Sequence, residues 1–185
     1  MKPAPALPLL AFLGLLAVAT AAAAPILATD ADGRPVAVNA PGKVVAVLSS
    51  SPATQDQTRA AGRVLDGYRG RPDFRLVIVV DLRGSFAGVV PGIVRGRMRD
   101  ELDKEAVRLA PFYRANGNAN DPRPDMESIP DFDGTVCKPL GWAETPGKLR
   151  VVLFGADGKP LAHWDDLQPA DYPKLHAAAR QALGL

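Results

Sequence analysis

Cysteine is almost absent from this chain: Cys137 is the only one in 185 residues. One thiol excludes an internal disulfide and any Cys-x-x-Cys pair, so stability has to come from packing. A dominant charge of one sign is missing too. The 22 Lys and Arg residues face 20 Asp and Glu, which leaves no field to steer a polyanion, and nucleic acid is not an expected partner. A phosphate-cradling glycine loop and a nucleophile elbow are both lacking, and no segment repeats. Nothing in the pattern calls for a cofactor.

What is present is close to ordinary globular usage, with 47% hydrophobic and 23% charged residues, enough to bury a sizeable core. The 17 Gly and 18 Pro residues are scattered, as expected of many turns rather than disorder. The first residues read as an export leader. Lys2 gives a basic start, residues 7–18 form an apolar run, and residues 21–24 are alanines suited to a signal peptidase. Pro25 is a poor residue directly after a cut, so cleavage is expected after Ala23. This divides the chain into a signal peptide over 1–23 and a domain over 24–185. The alternative is an uncleaved anchor, since residues 7–24 are just long enough to span a membrane. No cysteine stands beside the site, so a lipid anchor is not expected. Removing Lys2 from the 22 basic residues leaves 21 against 20 acidic ones.

Along the domain, residues 26–38 have the form strand, turn, strand around Asp30-Ala31-Asp32-Gly33. Residues 44–48, VVAVL, are short and uniformly apolar, as in a central strand buried on both faces. Ser51 can then cap a helix with Pro52 in its first turn. Ala61, Val64, Leu65 and Tyr68 recur at helical spacing, and Gly70 supplies the stop. Residues 76–80, LVIVV, form a second buried strand, completing a right-handed βαβ unit.

From Val94 onward, Met98, Leu102, Ala106, Leu109 and Tyr113 mark one face of a further helix. Its other face is charged, with Arg97–Glu101 and Asp100–Lys104 placed to pair four residues apart. Residues 116–130 are polar and proline-rich and read as a surface loop. Residues 149–154 and 160–164 flank Gly155-Ala156-Asp157-Gly158 as an antiparallel hairpin. A last helix is expected over 169–183, with Leu175, Ala178, Ala179 and Ala182 inward.

This order of elements resembles the thioredoxin-like fold superfamily, in its redoxin and peroxiredoxin-like branch. The likeness is carried by "ILATDADGRPVAV", "PGKVVAVL", "IPDFDGTVCKPLGW" and "LRVVLFGADGKPLAHWDDLQPADYPKL". It implies an α/β three-layer sandwich: a mixed central sheet, made of a parallel βαβ unit and a C-terminal antiparallel hairpin, with flanking helices and an N-terminal β-hairpin. Residues from about 84 to 120 fall outside the common pattern as a helical insertion. Active relatives carry a cysteine where the first long strand meets its helix, and here Thr54 and Gln57 stand where thiols are expected. A helix N-terminus lowers a thiol's pKa, whereas a hydroxyl without a strong base stays protonated. Neither His163 nor His176 is near in sequence. Dithiol exchange at this place is excluded.

Two functional readings follow. In the first, the chain is a periplasmic or secreted binding or accessory module without redox-active cysteines, and its partner is another exported protein. Its binding rim would comprise Ser50, Ser51, Thr54 and Gln57, facing Thr145 and Pro146, where thioredoxin-like proteins often carry a cis-proline. A related possibility is an anion or small-ligand site at the helix terminus, built by Ser50, Ser51 and Thr54. In the second reading, Cys137 serves a single-cysteine oxidoreductase, a peroxidase-like enzyme or a redox sensor. Exposure beside Lys138 would favour this role, and burial among apolar side chains would favour the first. His163 and Asp165 share a strand face, but two ligands do not make a metal site. The Asp-x-Asp-Gly segments at Asp30 and Asp131 lack the closing Glu of a calcium loop and read as turns.

In an exporting host the mature protein is expected to begin at Ala24, as read by N-terminal sequencing and intact mass. A product that keeps Lys2 would support the membrane anchor instead.

Overall fold

The structure is a computed structural model that describes residues 24–85, 90–142 and 147–185. The leader over 1–23 and the Thr145-Pro146 segment lie outside the described residues.

Two short strands, β1 (Leu27–Thr29) and β2 (Pro35–Ala37), pair antiparallel as the expected hairpin. The main sheet begins with β3 (Val44–Ser50), every residue of which is buried. It pairs parallel with β4 (Phe74–Asp81) and antiparallel with β6 (Val151–Phe154). An edge strand, β5 (Glu127–Asp131), joins β4 in parallel, and β7 (Pro160–Trp164) closes the other side antiparallel to β6. The order is therefore β5-β4-β3-β6-β7. The segments expected at 44–48, 76–80 and 149–154 thus contribute adjacent strands of one sheet.

The helices are α1 (Gln55–Val64), α2 (Pro91–Ala115) and α3 (Tyr172–Ala182). Val44, Ala46 and Leu48 alternate onto one face, where they meet Ala61 of α1, Leu65 just after it, and Leu175 and Ala179 of α3. α2 lies beside α1, with Arg59 reaching Glu101 at 3.0 Å. Val45 and Val47 project to the opposite face, which is covered by Val36 and Val38 of the hairpin region and by Val136, Leu140 and Trp142. The three layers are helices, sheet, and a cover of hairpin and turns.

Three expectations need correction. Residues 127–130 fall in the expected surface loop of 116–130 but belong to β5, and α2 with β5 completes a second parallel crossover. This strand is short and carries Pro130, which an edge position tolerates; pairing with β4 makes it a strand. The first helix starts at Gln55 rather than at Ser51-Pro52. Ser51 and Thr54 bond to each other across a preceding turn, which delays the helix by one turn. On α2, Glu101 pairs with Lys104 at 2.8 Å and with Arg59 of α1, not with Arg97; Asp100–Lys104 is likewise not formed. Glu101 takes Lys104, one turn on, which draws that cation from Asp100, and Arg59 of α1 supplies the second cation in place of Arg97.

The hairpin is fastened to the body by a buried carboxylate. Asp30 accepts from the backbone N–H of Asp32 and Arg34 at 2.9 and 2.8 Å and from Arg34 Nε at 2.7 Å. Arg34 then donates to the carbonyls of Pro124 and Met126, ahead of β5. The end of α2 is held against the turn after α1: Asn116 donates to the carbonyls of Gly67 and Arg69 at 2.9 and 2.8 Å. At that contact Gly70 has φ +86°, and a Cβ there would stand 2.7 Å from Tyr113 Cα.

Gly70→Ala combines a left-handed backbone with a collision against main chain. It is expected to lower stability by about 2–4 kcal/mol, seen as a lower urea midpoint with an unchanged slope.

Candidate functional site

The C-terminal end of β3 runs into Ser49, Ser50 and Ser51, at the junction with α1. Here the hydroxyls of Ser49, Ser51 and Thr54 are occupied with holding the chain. Ser51 N–H donates to Thr54 Oγ1 at 3.0 Å, and the two side-chain hydroxyls lie 3.0 Å apart. Thr58 Oγ1 donates to the Ser49 carbonyl at 2.8 Å. Ser49 Oγ accepts from Arg150 N–H at 2.7 Å, stitching β3 to the strand beside it. Thr54 is only 2% exposed and ties the turn together, so its side chain does not face solvent. Gln57 is exposed on the outer side of α1.

Ser50 and Ser51 sit at one end of a groove of about 360 Å³ between α1, α2 and β4. Its floor is Leu76, Ile78 and Val80, which alternate onto the helix face of the sheet. Ile78 and Val80 stay only half-buried although they belong to an interior strand, because α1 and α2 part above them. Thr58 and Arg59 form one wall, and Met98 and Leu102 the other. The structure thus brings Ser50 and Ser51 to the groove and leaves Gln57 outside its lining; Thr145 and Pro146 lie beyond the described residues.

Arg69 lines the far part of this groove and also a smaller, polar recess of about 110 Å³. It is 7% exposed. Burial pulls its guanidinium below the ordinary value, opposed by Tyr113 and Asp66; the group still stays charged. The Tyr113 hydroxyl is its hydrogen-bond neighbour and also meets Asp125. Sequence reading passed over Arg69, treating its surroundings as a helix stop. The one available signal was a charged residue set between Tyr68 and Gly70, which is too common to single out.

Cys137 lies elsewhere, on the opposite face of the sheet. It is 0% exposed and packs among Val45, Val77 and Trp142. Asp131, at the end of β5, accepts from the backbone N–H of Gly134 at 2.9 Å and of Cys137 at 2.7 Å, folding the turn that carries the thiol inward. Burial pushes the thiol well above its ordinary value, and the adjacent Asp131 carboxylate adds to this. Such a thiol holds almost no thiolate at neutral pH.

His163 Nε2 meets Asp165 at 2.9 Å, the shared face that alternation predicts. No third ligand joins them, and no cluster of three or more His, Cys, Asp or Glu residues forms among the described residues. His176 bonds to the Tyr68 hydroxyl at 3.0 Å. Neither imidazole lines the groove, so its Ser and Thr hydroxyls have no histidine base beside them.

No protein-family model matches the chain, and no curated protein matches it in sequence. Solved structures do match. A protein from Chlorobium tepidum assigned as the thiol:disulfide interchange protein DsbE is 16% identical, with a TM-score of 0.55 over 88% of this chain and 96% of its own. One from Bacteroides vulgatus assigned as a thiol-disulfide oxidoreductase is 16% identical, with a TM-score of 0.53 over 91% and 93%. An exposed lipoprotein thioredoxin from Streptococcus pneumoniae is 13% identical, with a TM-score of 0.50 over 88% and 100%. The chain therefore has the thioredoxin-like fold, and it carries a single cysteine, without the cysteine pair.

Alkylation of Cys137 by iodoacetamide at pH 8 is expected to run at least about a thousandfold slower in the folded protein than in urea, following global opening. Rapid labelling of the folded protein would show that the turn after Asp131 opens on its own.

Proposed function

We propose that this chain is an exported, non-catalytic module of thioredoxin-like fold that binds or supports another exported protein. One observation carries the reading. The strand-to-helix junction presents serine and threonine hydroxyls bonded to each other, and the single thiol is sealed in the core on the opposite face. Thiol–disulfide exchange requires a thiolate that can reach its target, and Cys137 meets neither condition. The burial that disfavours the single-cysteine enzyme is also what a structural thiol needs, since cysteine packs as a small apolar residue.

Export rests on the leader over 1–23, and it is in keeping with the exposed lipoprotein among the structural neighbours. The face offered to a partner is the rim where β3 ends. Ser50 and Ser51 stand at the mouth of the groove there, and the exposed Gln57 lies on the adjacent helix. With Thr54 turned into the junction and Gln57 an amide on the outer side of α1, neither position where a thiol is expected offers covalent chemistry.

The purified protein is expected neither to reduce insulin disulfides with dithiothreitol nor to turn over hydrogen peroxide with a thiol donor. Sustained turnover that disappears in Cys137→Ser would overturn this reading in favour of an enzyme.

A further inference from the structure

The groove between α1 and α2 has an apolar floor and a buried cation. Around it, each carboxylate is already committed. Asp66 receives both Nη atoms of Arg108 at 2.6 and 2.9 Å. Glu105 is held by the same guanidinium. Glu101 is shared by Arg59 and Lys104, and Glu127 accepts from Arg75 Nε at 2.6 Å. Among the described residues Arg69 forms no ion pair, and neither does Arg97 at the rim. Asp66 and Glu105 act on Arg69 only from a distance, its hydrogen-bond partner is the neutral Tyr113 hydroxyl, and a guanidinium taken out of water without a direct ion pair is costly.

The recess beyond Arg69 is lined by more cations than carboxylates. Lys43, Arg69, Arg71 and Arg75 line it with only Asp125 and Glu127. Arg71 is turned to Asp73 and Arg75 to Glu127, which leaves Lys43 and Arg69 for an incoming anion. The groove and the recess share Arg69, Leu76 and Glu127 as common wall. On the other side of that wall, Leu76 to Val80 spans roughly 13 Å of strand, with every second side chain apolar and turned to the groove. A volume of about 360 Å³ falls within the usual range for small-molecule sites.

We propose that groove and recess together hold one amphipathic carboxylate, in chemical class a medium-chain fatty acid. Its chain lies along Leu76, Ile78 and Val80, and its head rests on Arg69. The ligand covers Ile78 and Val80, the two half-buried apolar residues of β4, and supplies Arg69 with a direct ionic partner. This deepens the binding-module reading by naming what the groove beside Ser50 and Ser51 takes, and it rests on that reading.

Isothermal titration of the purified protein with dodecanoate, kept below its micelle concentration, tests the proposal. One site is expected, and dodecanol, the same chain without the charge, should bind at least about tenfold more weakly, as loss of one charge-assisted contact implies. Met98→Trp should fill the groove from α2 and abolish dodecanoate binding, with a native circular dichroism spectrum. Absence of binding up to millimolar dodecanoate, equal affinity for the two ligands, or undiminished binding by a folded Met98→Trp would each overturn the proposal. Thiol turnover would instead overturn the non-catalytic reading and leave the groove assignment standing, so the two fail separately.

Discussion

Burial of β3 on both faces is the constraint on which the rest of the molecule depends. All seven residues from Val44 to Ser50 are buried, so their backbone groups need partners on both sides, because an unpaired buried peptide group costs as much as a lost hydrogen bond. β4 supplies one side and β6 the other. Both faces then require apolar cover, provided by the α1–α3 layer against Ala46 and Leu48 and by the hairpin and the turn after β5 against Val45 and Val47.

The same arrangement separates the two places where chemistry could reside. The end of β3 opens towards α1 and the groove, whereas Cys137 lies beneath the cover on the far face. The Asp131 carboxylate is the device that sends it there, since its bonds to the N–H groups of Gly134, Val136 and Cys137 close the turn with the thiol inward. A one-turn delay in α1 has a comparable effect at the junction. By bonding Thr54 to Ser51, the chain uses for its own turn the hydroxyls that would otherwise have faced a partner.

The groove arises from a mismatch between layers. α1 and α3 cover the centre of the sheet, and α2 is fastened at its C-terminal end to the turn at 67–70 through Asn116. α2 therefore stands over the β5 side, and Ile78 and Val80 are left between helices. Arg69 is carried into the same space by the turn that Asn116 and Gly70 hold against α2. Its position is set by residues more than forty places away in the chain.

Periodicity and turn chemistry in the sequence by themselves determined the hairpin at Asp30–Gly33, the strands at 44–48 and 76–80, the C-terminal hairpin and the inward face of α3. Each depends on neighbours within about ten residues, where alternation and glycine placement speak directly. The absence of a cysteine pair was equally plain, and it removed dithiol exchange without any coordinates. Only the tertiary structure decided that 127–131 is a strand, that Cys137 is sealed, and that Arg69 borders a cavity. A short polar segment becomes β5 by hydrogen bonding to β4, a small thiol suits surface and core alike, and an arginine gives no local sign of whether a carboxylate elsewhere is free to meet it. Those outcomes are set by which distant groups arrive together, and packing alone brings them there.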